Sequence, residues 1–132
     1  MVSMPEPVIR MIRHPDSCKV MSTVSPDGSP HSIVCGSLMV SGDDTIVVGE
    51  AFMYRTSENL EHDPRAEFLV WKGKDAYSIS AVWTGRKDTG PEFERMEQLL
   101  GKMNMDIVSI MTFRVEGVWD ESASHNAGNR VV

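Results

Sequence analysis

Residues 18–49, CKVMSTVSPDGSPHSIVCGSLMVSGDDTIVVG, decide how the chain folds. Cys18–Val24 reads as a strand, and Ser25-Pro26-Asp27-Gly28 after it is a strong turn signal. A second extended run, His31–Val40, follows at once and pairs back on the first as a hairpin. Ser41-Gly42-Asp43-Asp44 turns the chain again, and Thr45–Gly49 is a third, β-branched strand. Three strands joined by tight turns make an antiparallel meander.

Outward from this meander the pattern stays mainly β. Upstream, Pro5–His14 puts Val8, Ile9, Met11 and Ile12 mostly on one helical side, with early prolines to start the helix and Pro15 to end it. Downstream, residues 50–64 break the β pattern, with a short helix expected from Thr56 to about His62 and a stop at Asp63-Pro64. Arg65–Lys72 returns to strand, Gly73-Lys74-Asp75 turns, and Tyr77, Ile79, Ala81 and Trp83 then alternate with polar residues. Thr89 and Glu92 fit a capping box for a helix with the stripe Phe93, Met96, Leu99 and Leu100. Ile107–Trp119 is a long closing strand, and the polar tail from Glu121 reads as irregular. Six antiparallel strands with few helices suggest a barrel, which removes its own edges. The βαβ alternation and GxGxxG of a dinucleotide-binding fold are absent.

Bulk properties narrow the function. A chain of 132 residues fits one domain, whose small interior makes a second subunit a natural cover for apolar surface. The net charge of -6, with scattered cations, argues against nucleic acid as a partner. Any phosphate site must be local, which points to a small phosphorylated ligand. No metal is expected, since His14, His31, His62 and His125 are well separated and none pairs with Cys18 or Cys35 at zinc-like spacing. Two cysteines, no signal-like N-terminus and no apolar run near the ~20 residues of a membrane span fit a reduced, cytoplasmic protein without membrane contact.

The richest segment for chemistry is residues 53–60, MYRTSENL. Arg55 offers a fork of donors to phosphate oxygens, Thr56 a hydroxyl, and the helix start its free amides. From spacing alone, a plain capped helix beside a solvated arginine is the commoner outcome.

The whole layout shifts that balance, because it resembles the FMN-binding split-barrel superfamily of pyridoxamine 5′-phosphate oxidases and small bacterial FMN-binding proteins. The stretches that carry the resemblance are residues 23–31 (TVSPDGSPH), 55–60 (RTSENL) with Asp63-Pro64-Arg65, 90–94 (GPEFE) and 125–128 (HNAG), in family order. Each is weak alone; the ordered set is fairly specific, and it looks closer to the small FMN-binding proteins than to the longer oxidases. The resemblance implies a mainly β fold, a six-stranded antiparallel split β-barrel with two or three short helices. It implies FMN bound across a homodimer interface, with a small-molecule electron donor or acceptor.

Carried over by residue, it assigns Arg55 and Thr56 to the FMN phosphate, with the Ser57 backbone at the helix start. Ile33, Val34, Cys35 and Gly36 would run beside the isoalloxazine ring and offer main-chain hydrogen bonds, with Gly36 letting the ring approach. Ala51, Phe52 and Met53 would border the ring or ribityl chain, and Asn59 matches a recurring position that could equally support the helix. Cys35 reads as either a redox partner or a small buried hydrophobe, the commoner case. Trp71, Trp83 and Trp119 suit core or dimer-interface positions. No catalytic acid or base stands out, so in an oxidoreductase of this kind the flavin carries the electrons. The same fold could instead hold a flavin, haem or deazaflavin without turnover.

Overall fold

The structure, a computed structural model, describes residues 2–132. Helix α1 spans Glu6–Arg13, followed by strands β1 (Cys18–Val24), β2 (Pro30–Val34), β3 (Leu38–Ser41) and β4 (Thr45–Glu50). Helix α2 (Tyr54–His62), strands β5 (Arg65–Lys72) and β6 (Asp75–Lys87), helix α3 (Pro91–Gly101) and strand β7 (Ser109–Asp120) complete the order. All pairings are antiparallel, in one sheet ordered β2-β1-β5-β6-β7-β4-β3. Among the described residues no helix is long and apolar enough to cross a membrane.

The sheet has seven strands, where the sequence pattern predicts six. The expected strand His31–Val40 is two: β2 pairs with β1 (Val34 opposite Val20), and β3 pairs with β4 (Leu38 opposite Val48). Between them Gly36 and Ser37 leave the ladder, and Cys35, which keeps one amide bond to β1, lies in the link and not in a strand. These three residues join the two outer strands of the sheet. A flat sheet of seven strands would hold its outer strands about 29 Å apart at the usual spacing. The four Cα steps from Val34 to Leu38 reach at most about 14 Å. The sheet must therefore roll until its two edges nearly meet, without closing by hydrogen bonds.

The rolled interior collects Met21, Ile46, Val48, Phe68, Ile79, Phe113 and Val115, with Phe68 and Phe113 edge to face at 5.1 Å. Helix α1 adds Val8, Ile9 and Ile12 to this core, as its apolar stripe predicts, while Met11 is half-buried. A second cluster, Val47, Met96, Leu100 and Ile110, lies under α3. Strand β4 is therefore buried on both faces, which is why its sequence reads as a continuous apolar run.

Two helix starts differ from expectation. Helix α2 begins at Tyr54 with Met53 as N-cap and no side-chain cap, so Thr56 is its third residue. Helix α3 is preceded by Gly90 at φ 102°, and the Thr89–Glu92 capping box does not form because the turn needs a residue tolerant of that angle. Leu99, expected in the buried stripe of α3, is 47% exposed. The tail lacks a strand, as expected, but it is tied down. Val118 donates its amide to the Val132 carbonyl at 2.9 Å, and Gly128 donates to Asp120 at 2.7 Å.

Gly49 lets α3 lie on β4: a Cβ there would stand 2.9 Å from both Met96 Cγ and Leu100 Cδ1. Gly49→Val should lower stability by about 1–3 kcal/mol through overpacking. The check is a urea midpoint that falls with an unchanged m-value; an unshifted midpoint would mean that α3 does not rest there.

Candidate functional site

The β1–β2 turn and the start of α2 enclose a hollow of about 310 Å³ lined by Ser25, Asp27, Ser29, Arg55, Glu58 and Asn59. Its shape comes from local chemistry. The Ser25 amide donates to the Ser29 carbonyl at 2.8 Å, and Asp27 accepts the Ser29 amide at 2.9 Å. Those amide and hydroxyl bonds hold the Asp27 carboxyl below its ordinary range. Asn59 donates to Thr23 Oγ1 at 3.1 Å and so fastens α2 to β1; both side chains are buried. Arg55, exposed on the first turn of α2, has no carboxylate within salt-bridge distance among the described residues. Burial, and then the positive charge of Arg55, push the His31 imidazole below its ordinary value, which places the guanidinium near this turn.

Two buried hydroxyls here lack a hydrogen-bond partner. Ser25 Oγ lines the hollow; Thr56 Oγ1, next to Arg55 in sequence, is buried on the inward side of α2 outside that lining. An unsatisfied buried hydroxyl costs about 1–3 kcal/mol, so such groups mark positions where a ligand or water completes the site. Ser57 donates its amide to the Met53 carbonyl at 2.8 Å. The amides of Tyr54, Arg55 and Thr56 precede this first bond and are the free ones at the helix start.

Ser57 belongs to a second arrangement that local sequence patterns do not reveal. Its hydroxyl donates to buried Glu50, which also accepts from Ser109 Oγ at 2.6 Å and Arg86 Nε at 3.0 Å. Arg86 pairs in addition with Glu61 and lies 4.9 Å from the Trp83 ring centre. This network binds β4, α2, β6 and β7 together behind the loop that precedes α2. Burial alone would raise the Glu50 carboxyl, but the Ser109, Ser57 and Arg86 hydrogen bonds outweigh it and hold the group below its ordinary range. Glu50 faces a cleft of about 410 Å³ shared with Phe52, Met53, Tyr54, Asn104 and Asp106. Phe52 is 70% exposed at φ 56°, a left-handed conformation costly for a side-chain-bearing residue. Ala51 and Met53 are buried beside it.

Strand β2 is an edge. The Cys35 amide donates to the Lys19 carbonyl at 3.0 Å, which sets the phase of the ladder. Ile33 and His31 therefore bond to β1, while the amides and carbonyls of Ser32 and Val34 point off the sheet. Ile33 is half-buried and Val34 is 84% exposed. Gly36 is exposed with nothing within 4 Å of where a Cβ would stand. Cys35 is buried, and desolvation pushes its thiol up to about 12. It is the small hydrophobe of the two readings, not a reactive thiol.

Within one chain the residues named from the sequence fall in separate places. Arg55 and Asn59 meet in the hollow beside the β1–β2 turn; Phe52, Met53 and Ser57 meet in the Glu50 cleft; Gly36 lines a third cleft; Ile33 and Val34 lie along the β2 edge. Ser25, Ser29, Glu50 and Arg86 were not singled out from the sequence. Ser25 and Ser29 sit inside the turn signal itself, whereas Glu50 and Arg86 are 36 positions apart with no local sign of pairing. No group of three or more metal-ligating side chains occurs among the described residues.

A rolled antiparallel sheet whose two edges nearly meet without closing defines the split-barrel class. The chain belongs to the pyridoxamine 5′-phosphate oxidase family, whose model matches residues 7–125. No curated protein matches it. Among solved structures it is similar to an FMN-binding protein from Syntrophomonas wolfei subsp. wolfei, with TM-score 0.77 and 20% identity over 89% of this chain and 85% of that one. HupZ from Group A Streptococcus gives TM-score 0.78 and 17% identity, covering 97% of this chain and 100% of the other. HutZ, the heme storage protein from Vibrio cholerae, gives 0.62 and 15%, covering 90% and 96%. Identities this low establish the fold alone.

Two outcomes test this geometry. A thiol reagent should modify only Cys18, which is exposed, in the native protein, and both cysteines after denaturation; two fast-reacting native thiols would contradict the burial of Cys35. Because the folded-state value of Glu50 is depressed, its contribution to stability is complete above its unfolded value of about 4.3 and is lost as pH falls through the folded value. Glu50→Gln should therefore flatten the acid limb of the stability–pH curve; an unchanged limb would remove Glu50 from the linkage.

Proposed function

We propose that the protein binds FMN in a cytoplasmic homodimer and acts as a flavin-dependent oxidoreductase or electron-transfer protein. The carrying observation is the unpaired Arg55 beside two buried hydroxyls without partners, Ser25 Oγ and Thr56 Oγ1, and the free amides of α2. That donor set suits a terminal phosphate. Family membership and the FMN-binding relative favour a flavin as its bearer.

The remaining residues fit a flat ring. The off-sheet main-chain groups of Ser32 and Val34 would hydrogen-bond its polar edge, and bare Gly36 leaves the approach open. Phe52 and Met53 would border the ring or ribityl chain from a neighbouring cleft. FMN so held would supply two-electron redox chemistry, and the chain's residues bind and orient it. The electrons go to or come from a small-molecule partner.

A second subunit accounts for the scattered placement, by completing each ligand site with residues from another chain. Support lies on the outer sheet face, where Val34, Val20 and Leu69 stand in one cross-strand row. Val34 is almost fully exposed and Leu69 more than a third so. An apolar row on a sheet face calls for cover.

Arg55→Ala should weaken FMN by about tenfold or more while leaving riboflavin nearly unchanged, since a charge-assisted contact to phosphate is lost; equal losses would take Arg55 out of the phosphate role. Val34→Glu with Leu69→Glu should yield monomers in sedimentation and release FMN together. A variant that stays dimeric would move the interface elsewhere.

The second reading is a module that holds its ligand without turnover, favoured by the similarity to a heme storage protein. A nicotinamide-driven, acceptor-dependent turnover assay separates the two.

A further inference from the structure

The C-terminal end of α1, the 36–40 segment and α3 enclose a cleft of about 640 Å³ that the flavin reading does not use beyond Gly36. All its ionisable lining residues are bases: Arg13, His14, Lys19 and Arg95. The chain as a whole carries 19 acidic and 13 basic residues, so this cleft inverts the sign of the molecule locally. None of Arg13, Lys19 and Arg95 has a carboxylate within salt-bridge distance among the described residues. Lys19 is held by Ser17, donating to its Oγ at 2.8 Å. His14 accepts the Asp16 amide on Nδ1 at 3.0 Å, so its other ring nitrogen is the one free to donate.

Apart from Ser37, whose hydroxyl donates to the Gly49 carbonyl at 3.2 Å, the rest of the lining is apolar or glycine. Ile12 and Leu38 form its floor, and Leu99 its outer wall. Leu99 is the residue whose position in the α3 stripe predicts burial, yet it is half-exposed and shares this wall with Arg95, one turn earlier on the helix. Helix α3 therefore shows the cleft one apolar and one cationic side chain, next to its buried Met96–Leu100 stripe.

We propose that this cleft binds a small amphiphilic anion, an apolar body bearing a carboxylate, sulfonate or phosphate group. Arg13, Lys19 and Arg95 attract and orient the head group with hydrogen bonds that carry charge, His14 adds a ring N–H donor, and the Ile12, Leu38 and Leu99 surface takes the body. The inference stands apart from flavin binding.

The test titrates the purified full-length protein with 8-anilinonaphthalene-1-sulfonate and with uncharged N-phenyl-1-naphthylamine, which has the same rings. The sulfonate should bind about tenfold or more tightly than the uncharged probe, and weaken with rising salt. Arg13→Ala with Arg95→Ala should cut sulfonate affinity by about tenfold or more while leaving the uncharged probe and FMN unaffected. Arg10→Ala, on the same helix but outside the cleft, controls for net charge and should change little. Equal affinity for both probes, or an equal loss in Arg10→Ala, would overturn the site. Loss of FMN along with the sulfonate in the double variant would overturn its independence from the flavin site.

Discussion

The three-residue link from Cys35 to Ser37 is the constraint on which the rest depends. It joins the two outer strands of a seven-stranded sheet, and its short reach obliges the sheet to roll. Rolling creates the interior that Phe68, Phe113 and α1 fill, and it leaves β2 as an edge with main-chain groups unpaired. An exposed edge is normally a liability for aggregation. Here it lies next to the exposed Val34 and the bare Gly36, so one feature of topology puts unpaired main-chain groups and exposed apolar surface side by side.

Around this frame, polar groups divide into those that hold the fold and those left with capacity to spare. Glu50, Ser57, Ser109 and Arg86 satisfy one another and fix the start of α2 against three strands. Arg55, Thr56 Oγ1 and Ser25 Oγ, only a turn away, remain without partners. The contrast separates polar residues that satisfy one another from polar residues with capacity to spare more sharply than residue type does, since both sets contain an arginine and a serine.

Much of the fold is legible in the sequence where local signals agree. Cys18–Val24 and Arg65–Lys72 have the bounds that their composition and flanking turns predict. The break inside His31–Val40 is hidden because it is a change of pairing partner between distant strands, and Gly36 is its only local trace. Thr56 resembles a cap by type, but Met53 caps the helix with no side-chain bond and Thr56 is its third residue. Arg55 stands out because a cation beside a helix start is a local pattern. The Glu50–Arg86 pair and the basic cleft join elements far apart in the chain, and no window of sequence contains them.

The central claim is tested most directly by the absorbance spectrum of freshly purified, desalted protein, followed by denaturation and identification of what is released. The account predicts paired flavin bands in the near ultraviolet and blue, with FMN released in about one equivalent per chain. A colourless protein that also fails to take up added FMN would contradict it.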